Sequence, residues 1–140
     1  MKVLFDTNVV LDVLLDREPH TDAAARLFAL VDSGRLEGSI CATTVTTIYY
    51  IAAKSFGRKR AHDQVRELLG LFDIAGVGRE VLDRALELDF ADFEDAVVHE
   101  AAKADGASAI VTRDGGDFIN ASLPVFDPRE LLAAIAATAE

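Results

Sequence analysis

Apolar residues along this chain group in two ways. Some form brief unbroken runs that stop at an acid or a glycine; others recur every three or four residues over longer stretches. The first kind suits buried strands and the second amphipathic helices. KVLF, halted by Asp-Thr-Asn, predicts a strand over residues 2–6, and VVLDVLL a short helix ending near Arg17-Glu18-Pro19. Ala24, Leu27, Phe28 and Val31 give a helix from Thr21 to Ser33, closed by Gly34. GSICA predicts a second strand. Residues 43–55 carry β-branched side chains suited to a strand, yet their length and the Ile48, Ile51, Ala52 spacing favour a helix.

A further helix spans Arg58 to Leu71, with Ala61, Val65, Leu68 and Leu69 as its inward stripe, and FDIAGV predicts a third strand. Glu80 to Leu88 is helical through Val81, Leu82, Ala85 and Leu88. Asp92 to Ala104 follows as a helix with Phe93, Ala96, Val97 and Ala101 inward, ended by Asp105-Gly106. SAIVT and PVF predict the fourth and fifth strands. Asp127-Pro128 then starts a last helix, with Asp as cap and Pro in the first turn, reaching about Ala137. Strands separated by helices imply an α/β fold: a parallel sheet flanked by helices on both faces. No linker divides the chain, so residues 1–140 are expected to form a single domain. Such sheets bind ligands beyond the carboxyl ends of their strands, where strand order reverses. If the first and fourth strands are neighbours, Asp6 and Asp114 face one crevice.

Composition narrows the class. Half of the 140 residues are apolar and mean hydropathy is +0.21, enough for a packed core without disulfides. Cys41 is the single cysteine, and MKVLFDTN reaches an acid before any apolar run develops, so a reducing, cytoplasmic setting without a signal peptide is expected. The apolar stretch LLAAIAATA is far shorter than a membrane span, so no membrane association is expected. Net charge is −10 with pI near 4.6, which weighs against nucleic-acid binding. The cations are uneven, however: Lys54, Arg58, Lys59, Arg60, His62 and Arg66 form a basic stretch that could meet RNA phosphates, or could simply be a solvated helix start.

Acids, by contrast, gather where elements begin or end: Asp6 in FDTN, Asp92 and Asp95 in DFED, Asp114 and Asp117 in TRDGGDF. Helix capping accounts for Asp6, Asn8 or Asp92 individually, and a glycine-rich turn for Asp114 and Asp117. Three such segments along one sheet edge are harder to explain separately, because clustered carboxylates oppose one another's ionisation unless a cation lies between them. A hard divalent metal suits oxygen donors. Glu94 is expected to point elsewhere on its helix, into solvent. His99 shares a helical face with Asp95 and could approach a metal, or be an ordinary surface or interface histidine. Cys41 reads as a core residue rather than a nucleophile, and Tyr49 and Tyr50 as packing groups rather than base-stacking ones.

FDTNVVLD, DFEDAVVHEAA and IVTRDGGDF, in this order and spacing, resemble the PIN-domain family, the fold of many VapC-type toxin ribonucleases, over essentially the whole chain. The resemblance implies a Mg²⁺- or Mn²⁺-dependent endoribonuclease binding one or two ions. Asp6, Asp95 and Asp114 would be the metal-binding carboxylates, Asp117 a further catalytic acid, and Asn8 and Thr112 supporting polar groups. It also implies RNA as substrate, a homodimer, and an antitoxin whose segment covers the acidic cleft. One departure stands out: many family members carry a Glu in the helix after the second strand, where this chain has Thr47, and Asp92 is the candidate to compensate. Two alternatives remain open: phosphoryl transfer through an aspartyl-phosphate at Asp6, weakened by Asn8 in place of a second acid, and a weak or inactive PIN-like module that binds RNA or protein.

Overall fold

The computed structural model describes residues 1–138. Five parallel strands, β1 (Lys2–Phe5), β2 (Glu37–Cys41), β3 (Asp73–Ala75), β4 (Ala109–Val111) and β5 (Val125–Phe126), form one sheet in the order β3-β2-β1-β4-β5. The helices are α1 (Thr7–Leu14), α2 (Thr21–Asp32), α3 (Ala42–Phe56), α4 (Arg58–Leu71), α5 (Arg79–Leu86), α6 (Phe93–Ala104) and α7 (Pro128–Thr138), with a short 3₁₀ turn at Gly115–Phe118.

Alternation along the strands splits the core. Val3, Phe5, Ala109 and Val111 face α1, α2, α3, α4 and α7, whereas Leu4 and Ile110 face α5 and α6. Each fully buried large side chain contributes about 1.5–3 kcal/mol relative to exposure. On the first face Phe5, Phe28 and Phe72 meet edge to face with centroids 5.0–6.0 Å apart. Gly38 makes room for this cluster, since a Cβ there would lie 2.7 Å from the Phe72 ring.

Every predicted element forms, with shifted ends. β1 stops at Phe5 because the Asp6 carboxylate already accepts the Thr7 N–H as the cap of α1, so the helix begins two residues before the apolar run suggested. β3, β4 and β5 keep only two or three ladder residues of FDIAGV, SAIVT and PVF. Three expected inward positions are open to solvent instead: Phe93, in the first turn of α6 ahead of its buried stretch, and Leu69 and Leu82, each beside a buried stripe residue on its helix. The last helix starts as expected and gains a reciprocal cap, with the Glu130 N–H donating to Asp127 and the Asp127 N–H to Glu130.

The order 3-2-1-4-5 places the reversal between β1 and β4. Successive connections run outward from β1 through β2 to β3, then cross to β4 on the other side. The crevice expected of such a reversal therefore opens where Asp6 and Thr112 leave adjacent strands.

Candidate metal centre

At this edge the Asp6 N–H continues the ladder by donating to Val111 O at 3.0 Å, which brings the exits of β1 and β4 side by side. Side chains then knit them together. The buried Thr112 hydroxyl donates to Asp6 Oδ2 at 2.8 Å and accepts the Asp114 N–H at 3.1 Å. Asn8 Nδ2 donates to Asp114 Oδ2 at 3.0 Å and to Thr112 Oγ1 at 3.2 Å, while its Oδ1 accepts the Arg113 N–H at 3.1 Å. Asn8 and Thr112 thus orient both carboxylates, and Asp6 caps α1 at the same time.

Asp92 caps α6 through Oδ1, which accepts the Glu94 N–H at 2.7 Å and the Asp95 N–H at 3.4 Å. That cap aims the first turn of α6 at the β1–β4 crossing. The resulting cleft, of about 410 Å³, is lined by Asp6, Asn8, Asp92, Glu94, Asp95, Asp114 and Asp117 together with Thr7, Leu11, Arg17 and Arg113.

Burial is the main force pushing Asp6 above its ordinary range; the Thr112 hydroxyl and Thr7 N–H oppose it, and the charges of Asp114 and Glu94 add to it. Asp95 is pushed up to about 7, first by burial and then by the charges of Asp6, Asp92, Asp117 and Glu94. The donor set fits a hard divalent ion in its chemistry: oxygen ligands only, with two carboxyls whose ionisation a cation would favour. Among the described residues, no three His, Cys, Asp or Glu side chains are grouped closely enough to hold an ion jointly.

Asp95 sets a pH dependence. Its carboxyl holds a proton more tightly folded than unfolded, so between about pH 4 and pH 7 the unfolded state binds fewer protons and stability falls as pH rises. In EDTA the expected loss across this window is about 1–2 kcal/mol once solvent screening is allowed for. Asp95→Asn flattens the slope and shrinks the rise in melting temperature that Mn²⁺ produces at neutral pH. Equal Mn²⁺ shifts in wild type and Asp95→Asn would remove Asp95 from the ligand set.

Several expectations change here. The glycine-rich turn forms as a 3₁₀ turn, although neither Gly115 nor Gly116 has positive φ and a Cβ on either would touch nothing. Glu94 is exposed but lies on the cleft lining, because the Asp92 cap turns the start of α6 toward the sheet edge. His99 is neither ligand nor surface group. It is buried, paired with Glu100 Oε2 at 2.8 Å, accepts the Ser122 N–H at 3.0 Å and packs on Phe90. Cys41 is buried as expected. Thr47 lies in a neighbouring groove with Thr43, Thr46, Leu82, Phe93, Glu94 and Val97, outside the cleft lining; Glu94 borders both.

The basic stretch sits on the α3–α4 hairpin. Lys54 lies over the Tyr50 ring at 5.3 Å and Arg60 over Phe56 at 4.1 Å, and none of Lys54, Arg58, Lys59 and Arg60 lines the cleft. His62 accompanies Tyr49, whose hydroxyl lies 3.1 Å from Nδ1. The cations that do line the cleft, Arg17 and Arg113, escape a reading based on charge runs, as does their partner Asp12. One signal was available: Asp12 interrupts an apolar run on a helix, a position that requires a buried cationic partner.

Comparison with known proteins agrees with the architecture. The family model described as PIN domain matches residues 2–115. A protein named Ribonuclease VapC1 from Aquifex aeolicus is 25% identical over 118 residues, covering 81% of each chain. Among solved structures, a toxin-antitoxin complex from Klebsiella pneumoniae superposes with a TM-score of 0.69 at 22% identity, covering 90% of this chain and 97% of that one. VapC20 from Mycobacterium tuberculosis, described as a Sarcin-Ricin loop cleaving toxin, superposes with a TM-score of 0.68 at 16% identity, covering 86% and 95%.

Proposed function

This chain belongs to the PIN domain family, and from that premise we propose that it is a metal-dependent endoribonuclease, the toxin of a toxin–antitoxin pair. The observation that carries the reading is the Asp6–Thr112–Asn8–Asp114 network, which fixes two carboxylates from sequence-distant segments on one wall of a cleft whose other wall presents Asp95. The names of the Aquifex and Mycobacterium relatives point the same way.

Asp6, Asp95 and Asp114 would hold one or two Mg²⁺ or Mn²⁺ ions, with Asp117 a further acid beside them. A bound ion of this kind supplies a water of lowered pKa and neutralises charge on the phosphate under attack. The chain's own part is positional. Thr112 occupies one Asp6 oxygen with a hydrogen bond, Asn8 keeps Asp114 facing the cleft, and the Asp92 cap presents Asp95. No side-chain nucleophile is needed, since water attacks and Asp6 stays an acceptor held by Thr7 and Thr112.

An antitoxin is the proposed partner, by analogy with the Klebsiella complex. An Arg is the side chain best suited to plug this cleft, because its planar fork binds a carboxylate in bidentate fashion and competes with metal. A homodimer is proposed as well, with the Lys54–Arg60 stretch as an outlying contact for RNA. Among the described residues no helix is long and apolar enough to cross a membrane.

Mapping cleavage of total RNA by the purified chain with and without Mn²⁺ tests the activity. Expressing the chain alone should slow growth, Asp6→Ala should relieve this, and a small adjacent-gene product should co-purify with the wild type. The placement of Thr47 outside the cleft lining favours a second reading, a weak or inactive PIN module. Harmless expression together with RNA left uncut in Mn²⁺ would make that the better account.

A further inference from the structure

We propose that Arg17 and Arg113, joined through the buried Asp12 carboxylate, hold a backbone phosphate of the RNA on the lining of the cleft beside its acids; the inference rests on the ribonuclease reading above. The cleft needs such a feature. Its carboxylates repel a polyanion, and among the described residues Arg17 and Arg113 are the two cations lining it. Phosphate contacts dominate nucleic-acid affinity, and guanidinium suits phosphate better than ammonium does.

Asp12 has no solvent exposure, and both of its oxygens are taken up by the pair. Arg113 is gripped in bidentate fashion, with Nε to Oδ2 at 2.6 Å and Nη2 to Oδ1 at 3.1 Å. Arg17 Nε stands 2.9 Å from Oδ1, an ion-pair distance, but the direction is poor enough that this buried nitrogen has no hydrogen-bond partner. One carboxylate serving two guanidiniums leaves a net positive charge. The arginine side chains stay 39% and 26% exposed, so donors that Asp12 does not use remain open to the cleft.

Local backbone explains how Arg17 arrives there. Helix α1 ends with the Arg17 N–H bonded to Asp12 O and the Asp16 N–H to Val13 O, and Asp16 has φ of 51°. This is the left-handed reversal usually given to glycine, and it folds Arg17 back over the helix. Both arginines also register on Asn8: Arg17 Nη2 donates to its carbonyl at 3.3 Å, and the Arg113 N–H to its Oδ1. Because Asn8 also holds Asp114, the cationic wall keeps a set position relative to the acids. Arg113 is the bidentate, more buried member of the pair and Arg17 the more exposed one.

A purely structural role, pinning α1 to the β4 exit, predicts effects on folding alone. The test compares wild type, Arg17→Gln, Arg113→Gln and Arg113→Lys for cleavage of an RNA substrate in Mn²⁺, and for binding of a short single-stranded RNA in Ca²⁺ over a salt series. Each Gln variant should raise KM about 10-fold, the scale of one lost charged hydrogen bond, with kcat nearly unchanged. The slope of log affinity against log salt should fall by about 0.7 per lost phosphate contact. Arg113→Lys should restore the slope and part of the affinity, and the Mn²⁺-induced melting shift should match wild type throughout. Arg17 is the more exposed of the pair, and Asp12 keeps its bidentate partner in Arg17→Gln, so this variant carries the test if Arg113→Gln does not fold. Gln variants with wild-type KM and salt slope overturn the inference while leaving the nuclease reading intact. A wild type that neither binds nor cuts RNA overturns the nuclease reading, and the inference with it.

Discussion

Asp6→Asn is expected to lower kcat for RNA cleavage in Mn²⁺ by about 100- to 1000-fold, the scale on which one preorganised electrostatic group at a reacting centre contributes. The change removes charge while preserving shape. The amide oxygen can keep the Thr7 N–H, so the cap of α1 survives, and the backbone bond from Asp6 N–H to Val111 O still joins the exits of β1 and β4; the amide nitrogen then faces the Thr112 hydroxyl, and that one hydrogen bond is lost. Stability in EDTA should stay about level, because relief of a carboxylate that is nearly buried at 8% exposure and pushed up chiefly by that burial offsets the lost Thr112 bond. The combination of lost turnover, intact fold and a weakened Mn²⁺-induced melting shift separates a metal-facing acid from a structural cap. Near-wild-type turnover in Asp6→Asn would remove Asp6 from the chemistry and leave it as a helix cap.

The largest stability effect should come from a residue outside the proposed chemistry. Asp12→Ala is expected to cost about 3–5 kcal/mol, the range for removing one partner of a buried ion pair. Asp12 lies fully inside α1 and is the shared acceptor for Arg17 and Arg113, so its loss leaves two guanidiniums without their counter-charge and removes one tie between α1 and the β4 exit, leaving those made by Asn8. Urea unfolding provides the measurement, with the midpoint dropping at constant m-value. A cost below about 1 kcal/mol would mean that both arginines relax into solvent, as their partial exposure permits, and that the pair contributes little to the fold.

These two acids mark the boundary between what could be read along the chain and what could not. Asp6 was legible because a short apolar run ends on it and a helix follows, a local pattern that names both the strand exit and the cap. The same holds for Asp92 before α6, and for the matching of FDTN, DFED and TRDGGDF to the PIN pattern. Asp12, Arg17 and Arg113 were not legible as a unit. Arg113 is 101 residues from Asp12, and the two meet only because β4 crosses over to lie beside β1. Periodicity records which face of an element is apolar, not which strand will become its neighbour.

Exposure followed the same division. Regular spacing placed Leu69, Leu82 and Phe93 on inward stripes, but how wide a stripe is covered depends on the partner element, and those edges have no cover. His99 shares a helical face with Asp95, yet one turn of α6 carries it away from the cleft and into the core against Phe90, Glu100 and Ser122. By itself, then, the sequence determined the kinds and order of the elements, the sandwich they build and the acids at their ends, because local propensity and hydrophobic period act over a few residues. Only the tertiary structure decided that β1 and β4 are neighbours, that Glu94 borders the cleft, and that its cations come from Arg17 and Arg113 rather than from the basic hairpin. Those outcomes depend on which distant segments pack together, a free energy spread over the whole core and written in no local stretch.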